Sequence, residues 1–179
     1  MQKVVKFGGS SLANSTQFEK VKNIVLSDPA RRIVVVSALG KRTKDDYKIT
    51  DLLFLTQAHL KYGVDEKSVF QIVKDRYLEV AKDLNLKLDL NKEFEIIESE
   101  FSKTIDKEML VSRGEFLAAK MMAEYLDYKF IDLRSDKNNL VFKVQSTLIR
   151  YMREYLYNNN FTENLNKNLK IVKKWLKII

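Results

Sequence analysis

The chain has 179 residues, of which 45% are hydrophobic, no cysteine, one histidine and a formal net charge of +8. This length predicts one globular domain, and the lack of cysteine excludes a disulfide framework or a thiolate metal site. One histidine is too few for zinc, so any metal should be a hard ion bound through oxygen. No run approaches the roughly 18 apolar residues of a membrane span, and the start lacks a signal peptide's apolar stretch. We therefore expect a cytoplasmic protein without a membrane partner.

The first elements in chain order form a β-α-β unit. Val4–Phe7 is a β-branched and aromatic run, and the glycine loop after it leads to Thr16-x-x-Glu19, which fits a capping box at the start of a helix. The apolar residues expected to face inward from this helix are Phe18, Val21, Ile24 and Val25. After Pro29, the uninterrupted run Ile33–Val36 is typical of a strand buried on both faces of a parallel sheet.

The middle of the chain is predicted to be a helical subdomain. Residues 41–47 are charged and aperiodic, which predicts a mobile loop. Three helices follow from apolar residues at helical spacing: Leu52, Leu53, Leu55 and Leu60; Val69, Ile72, Val73, Tyr77, Val80 and Ala81; Phe94, Ile97, Phe101 and Ile105. A further helix should begin at Gly114, and Lys129–Leu133 alternates enough to predict a third strand. The architecture is α/β, with right-handed crossovers expected.

Composition changes after Arg134. Residues 135–179 contain nine Lys or Arg against three Asp or Glu, many asparagines and no glycine, whereas residues 1–134 carry 23 basic against 21 acidic residues. We predict a strand at 140–144 and helices at 147–157 and 162–176. The charge of this tail is modest and few aromatic residues interrupt it, which favours a solvated helical face over nucleic-acid binding.

Chemistry is first indicated at the glycine loop. Lys6 ends a strand, and Gly8 and Gly9 lie in the turn before a helix, where exposed backbone N–H groups can face a phosphate. This is not a Walker A loop, because the lysine precedes the glycines. Spacing alone fits an ordinary tight turn with a surface lysine equally well.

Three further segments carry polar groups beside predicted elements. Ser37 follows the second strand, at the sheet edge where open α/β sheets bind ligands, although it also fits a simple strand end. Thr50 begins a helix, and Glu115 is predicted at a helix amino terminus, where a carboxylate is usually just stabilising.

The combination and order of these segments is more specific than any one of them. The chain resembles the aspartokinases of the amino acid kinase family, which carry K-F-G-G-[ST]-S, V-V-V-S-A, T-[ND]-x-L and S-x-G-E-x-L in this order. The corresponding segments here are Lys6–Ser11, Val34–Ala38, Thr50–Leu53 and Ser112–Leu117. The resemblance covers residues 1–134 and implies a three-layer α/β sandwich with a mainly parallel sheet, incomplete here and with an inserted helical subdomain.

The resemblance also implies a reaction and a set of site residues. ATP, with magnesium, would phosphorylate the side-chain carboxylate of L-aspartate for lysine, threonine and methionine biosynthesis. Lys6 would be catalytic, and Lys6, Phe7, Gly8, Gly9 and Ser10 would bind phosphate. Ser37, Thr50 and Glu115 would bind aspartate. No residue is implied as a metal ligand, and homo-oligomeric assembly is left open.

The end of the sequence departs from this family. The family continues into a glycine-containing strand and an R-G-G-S-D segment that helps to bind substrate and nucleotide, but residues 115–179 contain no glycine. The resemblance also implies carboxyl-terminal sensing domains, which we do not expect in these 179 residues. We therefore expect weak activity or none, from a truncated or frameshifted aspartokinase or from an aspartate-binding protein without catalysis. A divergent helical cap, with Leu165, Leu169, Val172 and Leu176 packed on the sheet or on a partner, is the structural alternative.

Overall fold

The computed structural model describes residues 2–158. In chain order the elements are β1 (Lys3–Phe7), a short 3-10 helix (Gly9–Leu12), α1 (Ser15–Leu26), β2 (Arg31–Val36), α2 (Ile49–Tyr62), α3 (Lys67–Asp83), α4 (Leu90–Ser99), α5 (Lys107–Leu126) and α6 (Asp136–Asn158). The chain divides into two units between Phe130 and Ile131. Across the described residues, no helix combines the length and apolar character needed to cross a bilayer.

The first β-α-β unit is confirmed. Strands β1 and β2 pair in parallel, with Lys6 opposite Val35 and Phe7 opposite Val36. The helix between them starts differently from the prediction: Asn14, rather than Thr16, is the amino-terminal cap, and its side-chain oxygen accepts a hydrogen bond from the Gln17 N–H at 3.0 Å. The helix therefore begins two residues earlier, at Ser15. Ile24, predicted to face inward, is exposed, whereas Phe18, Val21 and Val25 are buried.

The sheet is covered on one face. Val5, Phe7 and Val34 pack against the core, and Val36 belongs to it. On the alternate positions, Val4, Ile33 and Val35 are 64%, 47% and 42% exposed, so the prediction of a strand buried on both faces is wrong for residues 2–158. A continuous apolar run is typical of a strand with a layer on each face of the sheet, and in the described chain the second face has no such layer. Lys6 lies among the residues of this open face.

The helices of the first unit form most of its core. Helix α2 packs against α3 and α5, and both α1 and α5 contact β2. Aromatic contacts connect α3 to α4 and to the segment after it, since the Phe70 ring packs edge to face against Phe94 and Phe101. Two details of the prediction are corrected: Ile72 is exposed, and α4 ends at Ser99, so Phe101 and Ile105 pack from the segment after it.

Helix α5 begins earlier than predicted. Asp106 caps it by accepting a hydrogen bond from the Met109 N–H at 2.8 Å, and the helix runs from Lys107 to Leu126. Gly114 and Glu115 consequently lie in the interior of a helix rather than at its start. The predicted third strand is also absent, since residues 129–133 have no strand structure and β1 and β2 are the two strands of the described chain.

The second unit contains α6. The predicted strand at 140–144 is wrong, because these residues belong to this helix, which also includes the helix predicted at 147–157. Leu140, Val144, Leu148, Tyr151 and Tyr155 recur every three or four residues. That period is helical, and it becomes visible only over a window longer than the five residues assigned to a strand. The helix predicted at 162–176 lies outside the described residues.

Candidate functional site

The segments that follow the two strands are bonded to each other. Because β1 and β2 are parallel, their carboxyl ends lie at the same edge of the sheet. The Ser37 N–H donates to the Phe7 carbonyl at 3.1 Å, and the Gly40 N–H donates to the Gly9 carbonyl at 2.9 Å. The glycine loop and the loop after β2 are therefore held side by side by backbone hydrogen bonds.

The contact between Gly9 and Gly40 leaves no room for a side chain. A Cβ added at Gly40 would lie 2.4 Å from the backbone carbon and oxygen of Gly9, and one added at Gly9 would lie 3.0 Å from the Ala38 carbonyl oxygen. Both obstacles are backbone atoms, which cannot rotate away. Glycine is required here for close approach, which explains the sequence at both ends of this contact.

Gly114 brings a third segment to the same place. A Cβ at Gly114 would lie 2.8 Å from the Ala38 Cβ and 3.3 Å from both the Ile49 Cγ2 and the Leu53 Cδ1. The interior of α5 thus lies directly against the loop after β2 and the start of α2. Thr50 is the neighbour of Ile49 and Glu115 the neighbour of Gly114, so the sequence segments that carry them converge on Ala38.

The polar side chains predicted for the site are accessible. Lys6, Gly8 and Ser10 are exposed, and Phe7, Gly9, Ser37, Thr50 and Glu115 are half-buried. Within residues 2–158, no side-chain hydrogen bond or ion pair engages Lys6, Ser37, Thr50 or Glu115. Nearby hydroxyls behave differently: Thr56 donates to the Leu52 carbonyl and Ser112 to the Met109 carbonyl. The four predicted side chains are free to meet a ligand.

The loop at residues 41–47 is anchored more firmly than its sequence suggests. It lies mostly at the surface, but Asp46 forms an ion pair with the buried Arg76 of α3, and Arg42 reaches Glu79 of the same helix at 2.7 Å. Sequence reasoning missed Arg76, because an arginine in an amphipathic helix is usually on the solvated side. The available signal was its position three residues after Val73 and next to Tyr77, both core residues.

Metal ligands are not clustered in the described part of the chain. Within residues 2–158, no group of three or more histidine, aspartate or glutamate side chains is arranged to hold an ion. The site is instead built from one lysine, two hydroxyls, one carboxylate and glycine backbone, which suits an anion and a zwitterion better than a metal bound by protein alone.

Sequence comparisons connect this geometry with known proteins. The profile of the amino acid kinase family matches residues 1–169. Aspartokinase 3 of Bacillus subtilis is 38% identical over 133 residues, which cover 71% of this chain and 29% of that protein. The chloroplastic aspartokinase 2 of Arabidopsis thaliana is 29% identical over 140 residues, or 69% of this chain and 24% of the relative.

Solved structures agree with the sequence matches. Clostridium acetobutylicum aspartate kinase is 45% identical with a TM-score of 0.70, over 72% of this chain and 30% of that one. Escherichia coli aspartokinase III in complex with aspartate and ADP is 25% identical with a TM-score of 0.56, over 71% of this chain and 29% of that one. The chain spans less than a third of the length of these relatives.

Proposed function

The chain belongs to the amino acid kinase family, and from that premise we propose that residues 1–134 form the aspartate- and phosphate-binding part of an aspartokinase site. The reaction served by such a site joins a carboxylate oxygen of L-aspartate to the γ-phosphorus of ATP as the bond to the bridging oxygen breaks and ADP leaves. The relatives named aspartokinase, one of them solved with aspartate and ADP, support this substrate pair. A non-catalytic aspartate-binding role is the alternative.

One observation carries the proposal. Four polar side chains without hydrogen-bond or ion-pair partners in the described chain, those of Lys6, Ser37, Thr50 and Glu115, belong to segments joined by the contacts of Gly9, Gly40 and Gly114. These groups are accessible, so water satisfies them in the free protein, and a polar ligand can take the place of that water. A half-buried carboxylate and two half-buried hydroxyls without protein partners therefore support a binding site for a polar ligand.

The phosphate end of the site is assigned to the glycine loop. The ammonium of Lys6 and the N–H groups of Gly8 and Gly9 would stabilise the charge on the migrating phosphoryl group, with Phe7 and Ser10 completing the loop. Phosphoryl transfer depends on positioning and charge neutralisation, and the attacking carboxylate is already ionised at neutral pH. No general base is therefore assigned.

The aspartate end is assigned to the loops around Ala38. Glu115 would pair with the substrate ammonium, while Ser37 and Thr50 would donate hydrogen bonds to its carboxylates. The described residues do not form a magnesium site by themselves, so we assign no residue to that ion and derive no step from it. The nucleotide-binding half of the family's site has no recognisable counterpart in residues 115–179, which lack glycine. We accordingly expect weak turnover or none.

Calorimetric titration of the full chain with L-aspartate tests the substrate assignment. We expect binding that weakens about tenfold or more in Glu115→Gln, since hydrogen bonds to charged groups contribute roughly 1.5–3 kcal/mol. Succinate, which lacks the ammonium, should bind wild type weakly and should not be affected by the substitution. Glu108→Gln, the same change at an exposed position of α5, is the matched control. Equal aspartate affinity in wild type and Glu115→Gln would refute the assignment.

A coupled assay for ADP release tests catalysis separately. With ATP, magnesium and L-aspartate, the purified chain should produce ADP weakly or not at all, because misplacing one reactant forfeits the large effective molarity that positioning supplies. Robust aspartate-dependent ADP formation that Lys6→Ala abolishes would show that the expected inactivity is wrong, while leaving the substrate assignment in place.

A further inference from the structure

Helix α3 carries none of the sequence motifs, yet two consecutive residues on it bond to the site glycines. Arg76 is 3% exposed and Tyr77 is fully buried. The Arg76 guanidinium donates to the Gly40 carbonyl at 2.6 Å, and the Tyr77 hydroxyl donates to the Gly114 carbonyl at 2.8 Å. Both acceptors belong to the close contacts that gather the candidate site.

The Arg76 guanidinium holds both ends of the loop between β2 and α2. Besides Gly40, it donates to the Tyr47 carbonyl at 3.0 Å and forms an ion pair with Asp46 at 3.1 Å. Gly40 stands at the start of this loop, and Tyr47 lies three residues before Thr50. One rigid fork of donors therefore fixes the span from the glycine contact to the beginning of α2.

The charge at this anchor is stable across the physiological range. Burial alone would raise the pKa of Asp46, but hydrogen bonds from Arg42 and the charge of Arg76 outweigh it and lower the pKa to about 2. The carboxylate therefore stays ionised. The buried guanidinium has an ionised partner and two carbonyl acceptors, which explains how an arginine can occupy the core.

The Tyr77 hydroxyl joins the other two segments. Burial raises its pKa well above the usual value, and a hydrogen bond from the Leu39 backbone N–H partly offsets that rise. The hydroxyl consequently remains protonated and donates its hydrogen bond to the Gly114 carbonyl of α5. The Tyr77 hydroxyl therefore lies close to the place where Ala38, in the loop after β2, packs against Gly114.

We propose that Arg76 and Tyr77 are positioning residues for the candidate site: together they fix the loop after β2 against Gly9 on one side and against Gly114 on the other. Ser37, Thr50 and Glu115 lie next to the backbone that these two side chains hold. The inference rests on the proposed function, since what is positioned is the aspartate pocket. Both residues are buried and are assigned no contact with the substrate, so we expect them to act by holding the backbone.

Two conservative substitutions in the full chain test this role. Tyr77→Phe removes only the hydroxyl, and Arg76→Lys keeps the charge but cannot reach two carbonyls and Asp46 together. Val73→Ala, a buried apolar position on the same helix whose side chain has no polar group to bond the site glycines, is the control for lost stability. The measurements are melting temperature, L-aspartate affinity, and amide resonances and hydrogen exchange of Gly9, Gly40 and Gly114, with Gly63 as an internal reference.

We expect Tyr77→Phe to shift the Gly114 and Leu39 amides, and Arg76→Lys to speed exchange of the Gly40 N–H at least fivefold relative to Val73→Ala. Both substitutions should weaken aspartate binding at least fivefold. Val73→Ala should change aspartate affinity less than twofold, even if it lowers the melting temperature as much as the other two substitutions do. Affinity losses that simply follow the loss of stability in all three variants would overturn the inference, as would unchanged glycine resonances. If wild type binds no aspartate, the proposed function fails, while the glycine measurements still decide whether Arg76 and Tyr77 hold the loops.

Discussion

The loops that follow the two strands and the long helix α6 differ in how tightly their residues are packed. Around the loops, a Cβ added at Gly40 or at Gly114 of helix α5 would lie less than 3.0 Å from a neighbouring atom, and one added at Gly9 would lie 3.0 Å from one. In α6, large apolar residues such as Leu148 and Tyr151 are more than half exposed. The relatives match about the first 70% of the chain, where the tight contacts lie. Precise packing and family resemblance thus coincide in the first unit.

The largest expected effect comes from Gly40→Ala. The added Cβ would overlap the Gly9 backbone at 2.4 Å, and separating the two loops would break the hydrogen bond from the Gly40 N–H to the Gly9 carbonyl. Overpacking in a dense interior costs about 1–3 kcal/mol, and displaced backbone puts this case at or above the upper end. Chemical denaturation measures the loss. A change below about 1 kcal/mol would contradict the close contact, the basis of the comparison.

Gly114→Val should have the next largest effect, and it should act on the site. The valine side chain would meet Ala38, Ile49 and Leu53, so we expect a loss of about 2–3 kcal/mol together with shifted Gly9 and Gly40 amide resonances. Gly63→Val is the control, because Gly63 has φ +68° and the nearest atom to an added Cβ is the Lys103 Nζ at 4.0 Å, which gives strain of about 1–2 kcal/mol without a neighbour to displace. Site resonances that move equally in both variants would show that Gly114 has no special position.

The smallest effect is expected in α6. Leu148 is 51% exposed, so Leu148→Ser should change the free energy of unfolding by less than about 0.5 kcal/mol. Leu117→Ser, at a 1% exposed position of α5, should cost about 3 kcal/mol or more through lost burial and an unpaired hydroxyl. Similar losses at both positions would mean that α6 is as tightly packed as the first unit, and the contrast between the two regions would disappear.

The features that sequence predicted well are those written in local patterns. The β-α-β unit follows from one short run, one glycine turn and one apolar run, and the segments around Gly9, Ser37 and Thr50 were found because their residue types are unusual in that order. The predictions of burial were wrong where the environment of a residue depends on segments far away in the sequence. Ile33 is exposed because no layer covers it in the described chain, and no pattern within the strand reports that.

The start of α5 and the role of α3 were missed for different reasons. Asp106 is a good capping residue, but the Ser112–Glu115 motif placed the predicted start at Gly114 instead of Lys107, seven residues too late. Tyr77 was predicted as a core residue, and that is correct, but its bond to Gly114 joins positions 37 residues apart. Arg76 was not predicted because its acceptors, the Gly40 and Tyr47 carbonyls, are backbone groups that a sequence does not distinguish.

The open face of the sheet should affect the stability of this protein against degradation and aggregation in a cell. Val4, Ile33 and Val35 form an apolar surface on a two-stranded sheet, and each strand in the described chain has one edge without a strand partner. Chaperones and proteases sample such surfaces continuously, and self-association starts from them. The cellular abundance of the chain should therefore depend more on how long this surface stays uncovered than on the tightly packed glycine contacts that follow the carboxyl ends of the same strands.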